Sequence, residues 1–265
     1  MNIYHVDAFT DQLFRGNPAV VCMLDFKRPD EWMRAFAQEI NLSETAFVLK
    51  QEDGFSLRWF TPKREVSLCG HATLATAHIL FEEDYLKNDE QARFHTQSGL
   101  LIAKRHGAQI EMDFPARFTV SAQDVPSINQ ALGTMPAFTH KAALRDDVYL
   151  IEVESEQIVR NLAPNFAALS ATGIRSVMVT SRSQSNEYDF VSRYFAPGVG
   201  IAEDPVTGSA HCYLAPYWGI KLNKTSLVGF QASTRTGIVG CEWKQDRVVL
   251  RGKAITVFKG EVLKA

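Results

Sequence analysis

Arg58-Trp59-Phe60-Thr61-Pro62, Gly70-His71-Ala72-Thr73 and Thr96-Gln97-Ser98-Gly99-Leu100 return later in the chain, in the same order. They come back as Arg193-Tyr194-Phe195-Ala196-Pro197, Gly208-Ser209-Ala210-His211 and Thr234-Arg235-Thr236-Gly237-Ile238. The first offset is 135 residues and the other two are 138, so one three-residue insertion reconciles all three anchors. A period this long is too great for a solenoid and describes two similar domains facing each other. Divided between two copies, 265 residues leave about 130 for each, an ordinary domain size.

The patterning around the anchors repeats as well. In the first half, Ala19 to Leu24 is a short apolar run that reads as a buried strand. Trp32, Phe36 and Ile40 recur at helical spacing across Glu31 to Ile40, with Asp30 as the expected N-cap. Ala46 to Leu49 and Phe55 to Phe60 read as strands. Ala72 to Leu80 is apolar on several faces and is expected to be a buried helix. Leu100 to Lys104 and Gln109 to Phe114 form a hairpin about His106-Gly107. The second half gives strand Val148 to Val153, helix Phe166 to Thr172, strands Ser176 to Thr180 and Asp189 to Phe195, and helix Ala210 to Ile220. A hairpin from Gly237 to Trp243 and Arg247 to Arg251 follows. Runs of strands with one central helix per half predict an α+β (mixed α/β) fold and argue against a doubly wound sheet. The polar, helix-breaking stretch Ser121 to Pro136 is the expected domain boundary.

Twenty-eight basic against thirty acidic side chains give a formal charge of −2, with a pI near 6.4. That balance offers no electrostatic footprint for nucleic acid or an anionic membrane, and no apolar run is long enough to span a bilayer. The remaining classes are small-molecule chemistry and protein partners. Cys22, Cys69, Cys212 and Cys241 are scattered without a C-x-x-C pair, so free thiols are expected. With no signal-peptide pattern at the start, the expected location is cytoplasmic.

In each half a glycine stands just before an apolar helix. The first helical turn leaves backbone N–H groups unpaired within the helix and carries the positive end of the macrodipole. Gly70 and Gly208 therefore open either two anion-binding helix starts or two tight packing turns. His71 follows Gly70, where the dipole favours the neutral ring; it is either a hydrogen-bonding catalytic group or a core histidine. Asp204, before Pro205, and Ser209, after Gly208, are either site residues or caps of the turn. Glu44, in Asn41-Leu42-Ser43-Glu44-Thr45-Ala46, joins a helix to a strand and taken alone reads as a surface glutamate. The chain has no Gly-x-Ser-x-Gly elbow, Walker loop, dinucleotide fingerprint or His-Glu-x-x-His. His71 with His78 is too sparse for a metal site, so neither a metal nor a cofactor is expected.

Tyr4-His5-Val6-Asp7-Ala8-Phe9 with Gly16-Asn17-Pro18-Ala19, Asn41-Leu42-Ser43-Glu44-Thr45-Ala46-Phe47, Cys69-Gly70-His71-Ala72-Thr73, and Glu203-Asp204-Pro205-Val206-Thr207-Gly208-Ser209-Ala210 together resemble the phenazine-biosynthesis PhzF-like family. That family is related in fold to diaminopimelate epimerase, and the resemblance runs nearly end to end. It implies two pseudo-symmetric halves, each a mixed sheet curled around a central helix, with the site between them. The halves are then 1–117 and 118–254, and a last strand at about 255–265 joins the first. It also implies a homodimer and a cofactor-free isomerisation by proton transfer in a small acidic metabolite. Carried onto this chain, Glu44 is the general acid/base, and His71 and Asp204 complete the catalytic set. Ser43, Gly70, Ala72, Thr73, Gly208, Ser209 and Ala210 surround the substrate. A carboxyl shielded from water has its pKa raised toward neutrality, and nearby donors stabilise negative charge developing on the substrate.

Related epimerases use two cysteines. Cys69 stands before the first glycine, but Thr207-Gly208-Ser209 carries no thiol at the matching place. A two-thiol epimerase is therefore not expected. A one-thiol racemase using Cys69 and a non-enzymatic binding member of the family remain the alternatives.

Overall fold

Ala19-Val20-Val21-Cys22 is apolar on both faces because helices cover its strand on both sides. Val20 and Cys22 pack with Met33 and Ala37 of one helix, and alternation sends Ala19 and Val21 toward a second helix on the other face. The computed structural model describes residues 1–263 and separates into two units, Met1–Asp113 with the chain from Leu250 onward, and Phe114–Val249. In chain order the first unit holds β1 (Asn2–Ala8), β2 (Asn17–Leu24), α1 (Asp30–Ile40), β3 (Thr45–Gln51), β4 (Gly54–Phe60), β5 (Glu65–Val66), α2 (Gly70–Glu82), β6 (Gln91–Thr96) and β7 (Gly99–His106), and β8 (Gln109–Pro115) begins in it. The second holds β9 (Thr119–Ser121), α3 (Pro126–Leu132), β10 (Phe138–Ala142), β11 (Val148–Glu152), α4 (Glu156–Asn161), α5 (Phe166–Ala171) and β12 (Ser176–Arg182). It continues with β13 (Phe190–Ala196), β14 (Ile201–Asp204), α6 (Gly208–Leu222), β15 (Ser226–Gln231) and β16 (Gly237–Lys244), and β17 (Arg247–Gly252) begins in it. β18 (Ala254–Glu261) pairs antiparallel with β1 in the first unit; of the strand expected at about 255–265, residues 264 and 265 lie outside the described residues.

The duplication read from the anchors is a duplication of topology. In the first unit β1–β2 is antiparallel, β2–β3 parallel, β3–β4 antiparallel, β4–β6 parallel and β6–β7 antiparallel, with short β5 on β4. In the second, β10–β11, β11–β12, β12–β13, β13–β15 and β15–β16 follow the same alternation, with β14 on β13. The match extends to side chains. Arg58 holds Glu65 through Nε and Nη2, both at 2.7 Å, and Arg193 holds Glu203 through the same two nitrogens at 2.7 and 2.8 Å. Each pair staples a long strand to the short one beside it with a bidentate fork. The three-residue insertion falls between these partners, where a 3₁₀ turn, Pro197–Val199, lengthens the second loop.

α2 and α6 are the central helices. Ten of the thirteen residues of α2 are buried, so it is apolar all round and takes contacts from β1, β2, β3, β7 and β18. α6 is buried along most of its length and packs on β15 and β16, with Trp218 Nε1 donating to Thr180 Oγ1 at 3.0 Å. Neither is long and apolar enough to cross a membrane, nor is any other helix among the described residues.

Two expectations need correction. Asp30 is the first residue of α1 and not its N-cap, which is Pro29. The Asp30 carboxylate is drawn instead to Arg58 Nη1 at 2.7 Å, and it still complements the dipole of the first turn. The stretch 121–136 is not a boundary. It holds α3, which Pro126 starts and Gly133 ends in the left-handed conformation, and Ile128, Ala131 and Leu132 are buried in the core of the second unit.

Candidate functional site

Residues expected at the site fall into two sets, one in each unit. In the first unit, Ser43 and Glu44 lie in the link between α1 and β3, which begins as Asn41 leaves α1 in the left-handed conformation. Cys69 is the N-cap of α2 and Gly70 its first residue, so His71 points from the first helical turn. Ala72 and Thr73 are buried helix residues; the Thr73 hydroxyl donates to Cys69 O at 2.6 Å and acts inside the helix.

His71 Nε2 stands 3.5 Å from Glu44 Oε2, and Cys69 Sγ lies 3.6 Å from His71 Nδ1 and 3.9 Å from Nε2. Asn17 Nδ2 reaches Nδ1 at 3.2 Å. With the Asn17 amide donating there, the ring proton sits on Nε2 and faces the Glu44 carboxylate, a tautomer assigned from the network. Burial holds the His71 pKa down to about 3, so the ring is neutral at physiological pH. The neutrality expected from the helix dipole is present, and desolvation is its principal cause. Glu44 keeps 14% of its side chain exposed.

Asn17 joins this group from the Gly16-Asn17-Pro18-Ala19 motif, where its side chain alone does not mark it for the site. Its signal is the glycine before it. Gly16 has φ +66°, and a Cβ there would lie 2.2 Å from Ala8 O, so only glycine delivers Asn17 to this place.

In the second unit, Asp204 ends β14 and is buried. The Thr207 hydroxyl donates to Asp204 Oδ2 at 2.5 Å, Thr207 N donates to Gln231 Oε1 at 2.9 Å, and Gln231 Nε2 donates to Asp204 O at 2.7 Å. This closed network fixes the turn before α6. Thr207 takes the N-cap position and makes no side-chain cap hydrogen bond, while the Asp204 carboxylate holds the turn through the Thr207 hydroxyl. Gly208 and Ala210 are buried, and Ser209 is exposed at the helix start. Nothing in the sequence marks Gln231, because a lone glutamine late in a strand carries no motif. His211 is a core residue: its Nδ1 pairs with Thr207 O at 2.8 Å, and burial lowers its pKa to about 4. All four cysteines are buried and none forms a disulfide.

The family model described as phenazine biosynthesis-like protein matches residues 6–260. A protein of Halalkalibacterium halodurans named an uncharacterized isomerase is 51% identical over 262 residues, covering 98% of each chain. Among solved structures, a PhzF-family phenazine biosynthesis protein from Enterococcus faecalis superposes with a TM-score of 0.94 at 41% identity over 99% of each chain. A Pseudomonas aeruginosa protein described as a predicted epimerase shares the fold, with a TM-score of 0.77 at 19% identity over 100% of this chain and 99% of that one. The fold is thus the mixed α/β fold of PhzF proteins and of epimerases of the diaminopimelate epimerase-like class. The chain belongs to the phenazine biosynthesis-like family, and the relatives named isomerases support an isomerase or epimerase as its class.

Proposed function

We propose that this member of the phenazine biosynthesis-like family is a cofactor-independent isomerase that moves a proton on a small carboxylate-bearing metabolite, with Glu44 as general acid/base. The observation that carries the reading is the buried, neutral His71 with Nε2 3.5 Å from the Glu44 carboxylate. A neutral ring donating from Nε2 orients the carboxylate without sharing its charge. Glu44 can then take a carbon-bound proton and return it at another carbon, a proton-transfer role worth about 10²–10⁴-fold in rate. Backbone N–H groups at Gly70 and Ala72, at the start of α2, supply partial positive charge to a substrate carboxylate or a developing enolate. Asp204, Gly208, Ser209 and Ala210 form the second set of the same proposal.

The test is turnover against binding. A panel of small cyclic and amino-acid carboxylates is screened by ligand-induced melting shift and by turnover. Glu44→Gln is expected to keep the melting shift and lose turnover. A fully active Glu44→Gln enzyme contradicts the assignment.

A second reading has its own observation, the Cys69 thiol 3.6 Å from His71 Nδ1. In a one-thiol racemase or epimerase Cys69 is the base. Cys69→Ala separates the two: a small loss of turnover supports Glu44, and a loss as large as that of Glu44→Gln supports the thiol.

A further inference from the structure

Glu44, Cys69 and His71 each present one donor atom of a different kind, and these three atoms lie within 4.8 Å of one another. Thiolate, imidazole and carboxylate are the ligand types of zinc sites, and three protein ligands with an open fourth position is a common arrangement. Bond lengths of about 2.0 Å to N and O and about 2.3 Å to S place tetrahedral donors roughly 3.3 Å (N to O) and 3.5 Å (N to S) apart. His71 Nε2 stands 3.5 Å from Glu44 Oε2 and 3.9 Å from Cys69 Sγ, so shifts of a few tenths of an ångström complete those two edges. The third pair, Cys69 Sγ and the Glu44 carboxylate, lies within 4.8 Å and draws together on binding.

The other requirements of a metal site are met by a change of tautomer and one turn of an amide. His71 is neutral and needs no deprotonation to present a lone pair, only the tautomer with its proton on Nδ1. Asn17, 3.2 Å from Nδ1, serves that tautomer by turning its amide so that the oxygen accepts, the outer-shell support that fixes a ligating imidazole.

We propose that Glu44, Cys69 and His71 form a binding site for a thiophilic divalent cation of the zinc and cadmium class, which occupies the groups otherwise used on substrate. Binding releases the Cys69 thiol proton to solvent and forms one metal–sulfur, one metal–nitrogen and one metal–oxygen bond, with water in the fourth position. The ion acts as an inhibitor and not as a cofactor, because it takes up the carboxylate oxygen that would hold the substrate proton. Binding rests on the three donors alone; only the inhibition rests on the role proposed for Glu44. The test therefore reads binding without turnover.

Cadmium chloride alone is titrated into the full chain and the thiolate-to-cadmium charge-transfer absorption is followed in the ultraviolet. The expected result is a band that saturates at one equivalent, is competed away by zinc and is absent in Cys69→Ser. Affinity should fall about 10–100-fold in Asn17→Ala, which removes only the outer-shell partner, and by at least as much in Glu44→Ala. Zinc should raise the melting temperature of the wild type and leave Cys69→Ser unmoved. Absence of the band in the wild type, or its persistence in Cys69→Ser, overturns the proposal. If Cys69→Ser does not fold, unchanged cadmium affinity in Glu44→Ala overturns it equally.

Discussion

Lowering the pH from 7.5 to 5 should cost this protein stability chiefly through two fully buried histidines, His71 and His211, with further contributions from His78 and His140, whose pKa values burial also lowers. His71 is buried and held neutral, with a pKa near 3, and His211 is buried with a pKa near 4. In the unfolded chain each returns to about 6.5. Between the two values the unfolded state binds a proton that the folded state refuses, so stability rises with pH across that window and falls as pH drops below about 6.5. At pH 5 each histidine should cost about 2 kcal/mol, together about 4 kcal/mol out of a typical 5–15 kcal/mol. Carboxylates with ordinary unfolded values near 4 contribute little above pH 5. Urea unfolding at pH 7.5 and pH 5 measures the loss, and repeating it on His71→Gln isolates one share. The wild-type loss should exceed that of the variant by about 2 kcal/mol. Equal losses in the two proteins would mean that His71 is already charged or well hydrated in the folded state. The reasoning that places a neutral ring beside Glu44 would then fail.

Other outcomes follow from individual contacts. Arg193→Met strands the Glu203 carboxylate and the Leu162 carbonyl that Arg193 Nη1 reaches at 2.6 Å; it should cost about 3–5 kcal/mol in urea unfolding. Arg58→Met, in the equivalent but more exposed pair, should cost clearly less, and a reversed order would contradict the burial argument. Gly16→Ala puts a Cβ against Ala8 O at a positive φ; it should lower stability by more than about 1 kcal/mol and reduce turnover through Asn17 and His71, as melting and activity on one preparation would show. Asp204→Asn keeps an acceptor for Thr207, so its melting temperature should stay near that of the wild type while turnover falls. Unchanged turnover would remove Asp204 from the proposed set.

What the sequence disclosed and what it hid have physical causes. Topology was legible because duplicated anchors mark side chains with the same work in each copy. Arg58 with Glu65 and Arg193 with Glu203 are one staple built twice, and the insertion between Glu203 and its arginine sits in a surface turn that tolerates length. α2 and α6 were legible because a helix buried along most of its length is apolar on several faces and carries charge only in its last turn, at Glu82 and Lys221. Local capping was less legible: Asp30 has the right chemistry for an N-cap, yet Arg58, 28 residues away, holds it elsewhere. The stretch 121–136 misled because Pro126 and Gly133 read as breakers, while here they start and stop a helix. Within the site, Glu44 was named by its motif and not by any local pattern, since only the fold brings it to His71. Asn17 reaches His71, 54 positions away, and Gln231 reaches Thr207 and Asp204, 24 and 27 positions away, a relation that sequence spacing does not encode.

Carbon-bound hydrogen exchange tests the central claim most directly. Wild type, Glu44→Gln and Cys69→Ala are incubated in D₂O with the carboxylate panel and followed by NMR. The account predicts deuterium at one carbon of a single class of carboxylate with the wild type, near-wild-type exchange with Cys69→Ala, and none with Glu44→Gln. Exchange that survives in Glu44→Gln and disappears in Cys69→Ala would contradict it.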